Sequence, residues 1–380
     1  MTSANTDLAL VMAGGGARAA YQVGFLRCIV RRYPDLNIPI ITGASAGALN
    51  AVFLANHTGR FRDKVEDLAA IWAGLTPEQI FRVDPYSIAR SVLAWGLRVL
   101  MGKASRAISV RSLLDSSPLH ALLERVLRPV EGRLLGIEHN LSSGNLKALA
   151  ITASNYYTAQ SVTWVQGKEI VGWERAHRVS VLCPITLNHV LASASLPFFF
   201  QAECIDGHWY GDGGMLLTAP LSPAIHLGAS RILAISTHVK GSASKPSPYD
   251  SNPYPPPAQI AGALYNTIFL DMFDPDTLRL ERINELVVSI PESERRGLRP
   301  VNLTLFRPSR NLGELANPFE PKLPPAFRFM TRGLGTKETR CNDLLSLLMF
   351  QPDYLKALID LGCTDAEARQ DEIAALLSRF

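Results

Sequence analysis

The sequence predicts a three-layer α/β/α fold, a mostly parallel sheet covered on both faces by helices. Three observations carry this expectation. Two strand-loop-helix units open the chain, further apolar strand-like runs alternate with helical stretches, and the composition is that of a packed protein. Of the 380 residues, 47% are apolar and 19% charged. That charged share lies below the roughly 25% of an average chain and excludes disordered, coiled-coil and acidic-tail classes.

The first strand spans Leu8 to Ala13, followed by a glycine loop and a helix with Val23, Leu26, Ile29 and Val30 at helical spacing. The second unit pairs a β-branched strand, Ile38 to Thr42, with a tight turn from Gly43 to Gly47 and an apolar helix from Ala48 to Asn56. The whole stretch Leu36 to Gly59 lacks charge, but Pro39, Gly43, Gly47 and Asn50 interrupt it, so strand, turn and helix fit better than a membrane span. Further strands are expected at Leu149 to Ala153, Val162 to Val165 and Ile232 to Thr237. These place an α/β catalytic core at residues 1–240. Residues 241–258, rich in proline and serine, form a surface loop. Residues 259–380 read as a mostly helical C-terminal cap that adds one strand, 301–306, to the core sheet. Its last helices, from Leu344 onward, are expected to break at Pro352 and Gly362.

Charge and cysteine usage narrow the partners. Lys and Arg number 38 against 34 Asp and Glu, a net +4, and no zinc-finger or RNP motif occurs, so nucleic acid is not expected. Five cysteines at unrelated spacings support neither a disulfide framework nor a metal site. Reduced, mostly buried thiols and no metal are expected. The polar segment Met1 to Asp7, and the short apolar run after it, do not make a signal-peptide core, so a cytoplasmic protein is expected. The sequence leaves the oligomeric state open.

Gly43-Ala44-Ser45-Ala46-Gly47 fits the G-x-S-x-G elbow, in which small neighbours let a serine stand exposed on a strained strand-to-helix turn. Ser45 is the candidate nucleophile. A serine attack builds an oxyanion, and Gly14, Gly15, Gly16, Ala17 and Arg18 offer backbone N–H donors at a helix start. The parallel order brings both loops to one sheet edge. Gly14, Gly16 and Ala19 also satisfy the dinucleotide fingerprint, which requires an acidic residue ending the next strand. That strand ends in Ile41-Thr42, and Asp35 precedes it, so no nucleotide cofactor is expected. The base is a carboxylate between glycines, Asp212 in Gly211-Asp212-Gly213-Gly214, acting either directly or through His238 at the end of the strand 232–237.

Together these motifs resemble the patatin-like phospholipase family. The matching stretches are GGGARAAYQVG (Gly14 to Gly24), GASAG (Gly43 to Gly47), ASASLPFFF (Ala192 to Phe200) and GDGG (Gly211 to Gly214), over roughly residues 8 to 240. The resemblance implies a Ser45–Asp212 dyad without a histidine, the Gly14 to Arg18 loop as oxyanion hole, no cofactor, and cleavage of acyl esters in phospholipids or lysophospholipids. Two departures, Ala13 and Ala19, remove no backbone N–H. The other readings are an α/β-hydrolase esterase using Ser45, Asp212 and His238, and a non-catalytic lipid-binding module.

A lipid substrate implies peripheral membrane contact. Tyr86 to Met101 is apolar with Arg90, Arg98, Lys103 and Arg106 nearby, which suits either an interfacial helix or a helix packed on the core. Leu344 to Phe350 is the alternative lid or membrane-contact element. Arg18 either steadies its loop or attracts a lipid phosphate.

Overall fold

The computed structural model describes residues 7–84, 86, 112–239, 257–265, 273–333 and 342–378. Among them ten strands form one sheet: β1 (Leu8–Met12), β2 (Ile40–Ala44), β3 (Ala148–Asn155), β4 (Gln160–Gly167), β5 (Glu174–Arg175), β6 (Arg178–Leu182), β7 (Glu203–Ile205), β8 (His208–Gly211), β9 (Arg231–Ile235) and β10 (Asn302–Phe306). Their order is β10-β9-β1-β2-β3-β4-β6-β5, with β7 and β8 joined on through β3. From β10 to β3 every pairing is parallel. This part holds the strands that read as unbroken apolar runs, and β1, β2 and β9 are buried throughout, as a sheet covered on both faces requires. The fold is the mixed α/β sandwich with a mostly parallel sheet that the sequence pattern indicates.

The helices that position the site are α1 (Ala20–Arg32), α2 (Ala46–Asn56), α3 (Phe61–Gly74), α4 (Ser117–Leu127), α5 (Asp343–Leu348) and α6 (Pro352–Ala368). Segment 301–306 contributes β10, which pairs in parallel with β9 from Asn302↔Arg231 to Phe306↔Ile235.

Several local expectations need correction. The second strand starts at Ile40, because Pro39 has no N–H to give to a ladder, and it runs through Gly43 and Ala44, which pair with Met12 and Thr152. The helix after it starts at Ala46, so the turn between them shrinks to Ser45. Gly362 does not break the C-terminal helix. It sits inside α6 and lets that helix close onto α1: a methyl at Gly362 would lie 2.2 Å from the Tyr21 carbonyl oxygen, and one at Gly24 would lie 2.0 Å from that of Ile359. Leu344 to Phe350 is no exposed lid, since all seven residues are buried. Pro257 begins a helix, Pro257–Tyr265, where the loop was expected to run to 258; residues 240–256 lie outside the described residues, as does 87–111, which holds nearly all of the candidate interfacial helix. The thiols are less buried than expected: Cys28, Cys183 and Cys363 are half-buried and Cys204 is exposed, all unpaired. Among the described residues, no helix is long and apolar enough to cross a membrane.

The α1–α6 contact gives a signed prediction. In a solvated helix, Gly→Ala stabilises by up to about 1 kcal/mol. Gly362→Ala instead forces a methyl into the α1 backbone. We expect a loss of about 1–3 kcal/mol in urea unfolding, the usual cost of overpacking.

Candidate active site

β3 holds the site together by sharing one edge between two partners. β2 takes its first half, ending at Ala44↔Thr152. Antiparallel β8 takes its last two residues, with Gly211 opposite Ser154. The residues that follow β2 and β8 are Ser45 and Asp212, and they meet beyond Thr152. The Ser45 hydroxyl donates to Asp212 Oδ2 at 2.6 Å.

Ser45 is the single residue between β2 and α2, with φ 56° and ψ −132°. A side chain in that region costs about 1–3 kcal/mol, and the surroundings must over-determine it. They do so from both sides. The Ser45 N–H donates to Ser193 Oγ at 3.1 Å, and that hydroxyl donates on to Thr152 O at 2.6 Å. Gly43 and Gly47 let the turn close, since a methyl at Gly47 would lie 2.3 Å from Met12 O.

Asp212 is fully buried. Its Oδ1 accepts from Gly214 N at 2.8 Å, its N–H donates to Ser195 O at 3.0 Å, and Ser154 Oγ donates to its carbonyl at 2.8 Å. Burial raises the carboxyl to about 7, against the smaller lowering effects of the Ser45 and Gly214 hydrogen bonds. Among the described residues no histidine bonds to this carboxylate. His238 lies past the end of β9, two strands away from β2, where its N–H donates to Ser236 Oγ.

The glycine loop lies against the serine: a methyl at Gly14 would be 2.8 Å from Ser45 Cβ. Gly15 (φ 146°) and Gly16 (φ 53°) take backbone conformations that favour glycine, and a short 3-10 helix, Gly16–Ala19, follows. Arg18 N–H donates to Gly15 O at 3.0 Å and closes that turn; the N–H groups before it stay outside the bond. Thr237 Oγ donates to Gly14 O at 2.7 Å and Gln22 Nε2 to Ala13 O at 2.7 Å. The Arg18 side chain, 2% exposed, is bonded to Asp343 and Ser346, so it steadies the loop and does not face a phosphate.

A cavity of about 970 Å³, counted to its open mouth, reaches from Gly15, Gly16 and Ser45 between α2, α3 and α4. Its walls include Leu49, Phe53, Trp72, Leu123, Leu196, Phe200, Leu347 and Phe350. The polar side chains in it are Ser45 and Asn50, and Asn50 is occupied: it accepts from Trp72 Nε1 at 2.7 Å and donates to Gln22 Oε1 at 3.1 Å. Sequence reasoning missed Gln22, Asn50, Thr237 and the α5 residues as parts of this site. Ser193 lay inside the quoted ASASLPFFF stretch without a role. The one grouping of metal-ligand type among the described residues, Cys28, Cys363 and Glu367, lines no part of the cavity.

No curated protein matches the chain. Similar solved structures include human GIVD cytosolic phospholipase A2, at 11% identity and TM-score 0.48 over 98% of this chain and 62% of that one. Its complex with methyl gamma-linolenyl fluorophosphonate matches at 12% identity and TM-score 0.46, over 98% and 59%. VipD from Legionella pneumophila matches at 13% and TM-score 0.32, over 91% and 67%. The chain thus spans about three fifths of the length of the phospholipase A2 structures. Residues 10–225 match the family model described as Patatin-like phospholipase. That segment holds Ser45, Asp212 and the glycine loop, and covers more than half of the sequence: the chain belongs to the patatin-like phospholipase family.

Proposed function

We propose that the protein is a lipid acyl hydrolase that cleaves carboxylic esters of phospholipids or lysophospholipids through a Ser45–Asp212 dyad. The observation that carries this reading is the 2.6 Å bond from a strained serine to a fully buried carboxylate, at the end of an apolar cavity. Asp212 takes the hydroxyl proton as Ser45 Oγ attacks the ester carbonyl carbon. The oxyanion forms against the N–H groups of the Gly14–Arg18 loop, Gly15 to Ala17 being those outside the turn bond. Collapse expels the alcohol, which recovers the proton from Asp212 and leaves an acyl-serine. Water, deprotonated by the same carboxylate, attacks that ester and releases the fatty acid. An ordinary carboxylate is a weak base at pH 7, and one raised to about 7 is well matched to the task.

The cavity accounts for the acyl half of the substrate. Its described lining is apolar apart from Ser45 and Asn50, which suits a hydrocarbon chain whose ester reaches Ser45. Such chains reside in bilayers or micelles, so reversible contact with a lipid surface belongs to the same proposal.

Three expectations test it. Ser45→Ala and Asp212→Asn abolish labelling by a fluorophosphonate probe and lipid hydrolysis, whereas His238→Ala keeps both. A dead His238→Ala beside an active Asp212→Asn overturns the dyad. Leu123→Trp, which fills the cavity between α2 and α4, shifts preference toward shorter acyl esters by about tenfold or more in kcat/KM, read from a chain-length series of esters.

The third concerns pH. The Asp212 carboxyl titrates near 7 when folded and near 3.8 when unfolded, so the folded state binds a proton more tightly. Its contribution to stability is fully present below the unfolded value and is lost as pH rises through about 7. Asp212→Asn removes that dependence. Its stability relative to wild type therefore rises between pH 5 and pH 8, by on the order of a few kcal/mol in denaturant titrations. Wild-type kcat/KM rises over the same window, because only the ionised carboxylate accepts the serine proton.

A further inference from the structure

Oxyanion stabilisation works only if the N–H donors are already in place when charge develops. The glycine loop cannot hold itself there, since Gly15 and Gly16 at positive φ have little conformational preference of their own. Thr237 and Gln22 tie down its beginning, at Gly14 O and Ala13 O. Its far end is held by Arg18. Arg18 Nη2 donates to Asp343 Oδ1 at 2.6 Å and to the Asp343 carbonyl at 3.2 Å, and Nε donates to Ser346 Oγ at 2.6 Å. Ser346 Oγ donates in turn to Asp343 O at 2.8 Å, which fixes the direction of its free lone pairs. The middle of the loop rests on the same helix: a methyl at Gly16 would lie 2.2 Å from Leu347 O.

We propose that Asp343 and Ser346 are positioning residues for the oxyanion loop, acting through Arg18, so that helix α5 completes an active site whose reacting groups lie far away in sequence. The inference rests on the loop's proposed role in binding the oxyanion. Both residues lie outside the family-matched segment 10–225. A guanidinium with 2% exposure cannot leave its carboxylate without remaining as an unpaired buried charge. The loop therefore has one favourable position relative to α5. The same helix supplies Leu347 and Leu348 to the cavity wall, so the surface that receives the acyl chain and the anchor of the oxyanion loop move together.

The test uses the full chain, a fluorophosphonate probe and a soluble short-chain p-nitrophenyl ester. Asp343→Asn keeps shape and loses charge; Ser346→Ala loses one hydroxyl and keeps the ion pair; Arg18→Lys keeps charge and loses the Nε bond. We expect kcat for Asp343→Asn to fall about ten- to a hundredfold, with KM within about twofold and the melting curve of a folded protein. Ser346→Ala and Arg18→Lys fall between it and wild type. Phosphonylation of Ser45 slows in step, because charge develops on the phosphoryl oxygen in the same hole. A purely structural role predicts instead that lost activity tracks lost folded protein, and that result overturns the proposal. So does wild-type kcat in folded Asp343→Asn and Ser346→Ala. Should Asp343→Asn fail to fold, Ser346→Ala decides alone. A wild type that neither labels nor turns over overturns the functional reading, and this inference falls with it; a labelled wild type beside unimpaired variants overturns the inference only.

Discussion

The site depends on one constraint: a buried carboxylate with, among the described residues, no cation bonded to it. Asp212 is fully buried, and its two oxygens meet one hydroxyl and one amide. A guanidinium in place of either partner would hold the carboxyl low and make it a poor acceptor of a serine proton. Neutral groups position the surrounding backbone instead. Ser193, Ser195 and Ser154 fasten Ser45 and the Asp212 peptide to each other and to Thr152 on β3. Hydroxyls and carbonyls satisfy the buried polar groups here without bringing in a charge that would reset the pair.

The sheet makes this placement a matter of register. β2 and β8 run in opposite directions and share one edge of β3, so the first residue past each end lands at the same spot. A slip of one residue in either strand would turn Ser45 or Asp212 to the opposite face. Pro39 at the start of β2 and Gly47 against Met12 O both oppose such a slip, one by having no N–H to give to a ladder and the other by fitting nothing larger.

The fold, and the residues Ser45 and Asp212 that the structure brings into contact, stand out in the sequence because their signals are local. The alternation of apolar strands and helices marks the sheet, and the elbow, the GGG loop and the GDGG string each carry their chemistry within five residues. What escaped was set by distance along the chain. Asp343 and Ser346 meet Arg18 across more than 320 residues, and nothing around them differs from an ordinary leucine-rich helix. Leu344 to Phe350 reads as a lid or membrane-contact element because it is apolar apart from Ser346, yet the same composition describes a helix buried on all sides, and the structure has the latter. Gly362 misled for a related reason. Its weak helix propensity suggests a break, whereas close approach of α1 requires a residue without a side chain and overrides the propensity.

One buried hydrogen-bond chain links the cavity wall to the backbone that leads into the glycine loop. The Trp72 indole donates to Asn50, Asn50 to Gln22, and Gln22 to the carbonyls of Ala13 and Ile235. Each member is a neutral group with its partners in place, so removing one leaves the next unsatisfied in a dry interior. The walls of the cavity are therefore unequal as material for change. The leucines of α4 carry no polar tether and can be exchanged for larger or smaller apolar residues with only local repacking. Trp72 cannot be exchanged so freely, for its loss would loosen the backbone just before Gly14. Under the proposed acyl-binding role, selection for a new chain length would act through α4, while the α3 wall stays fixed by the loop at the other end of the relay.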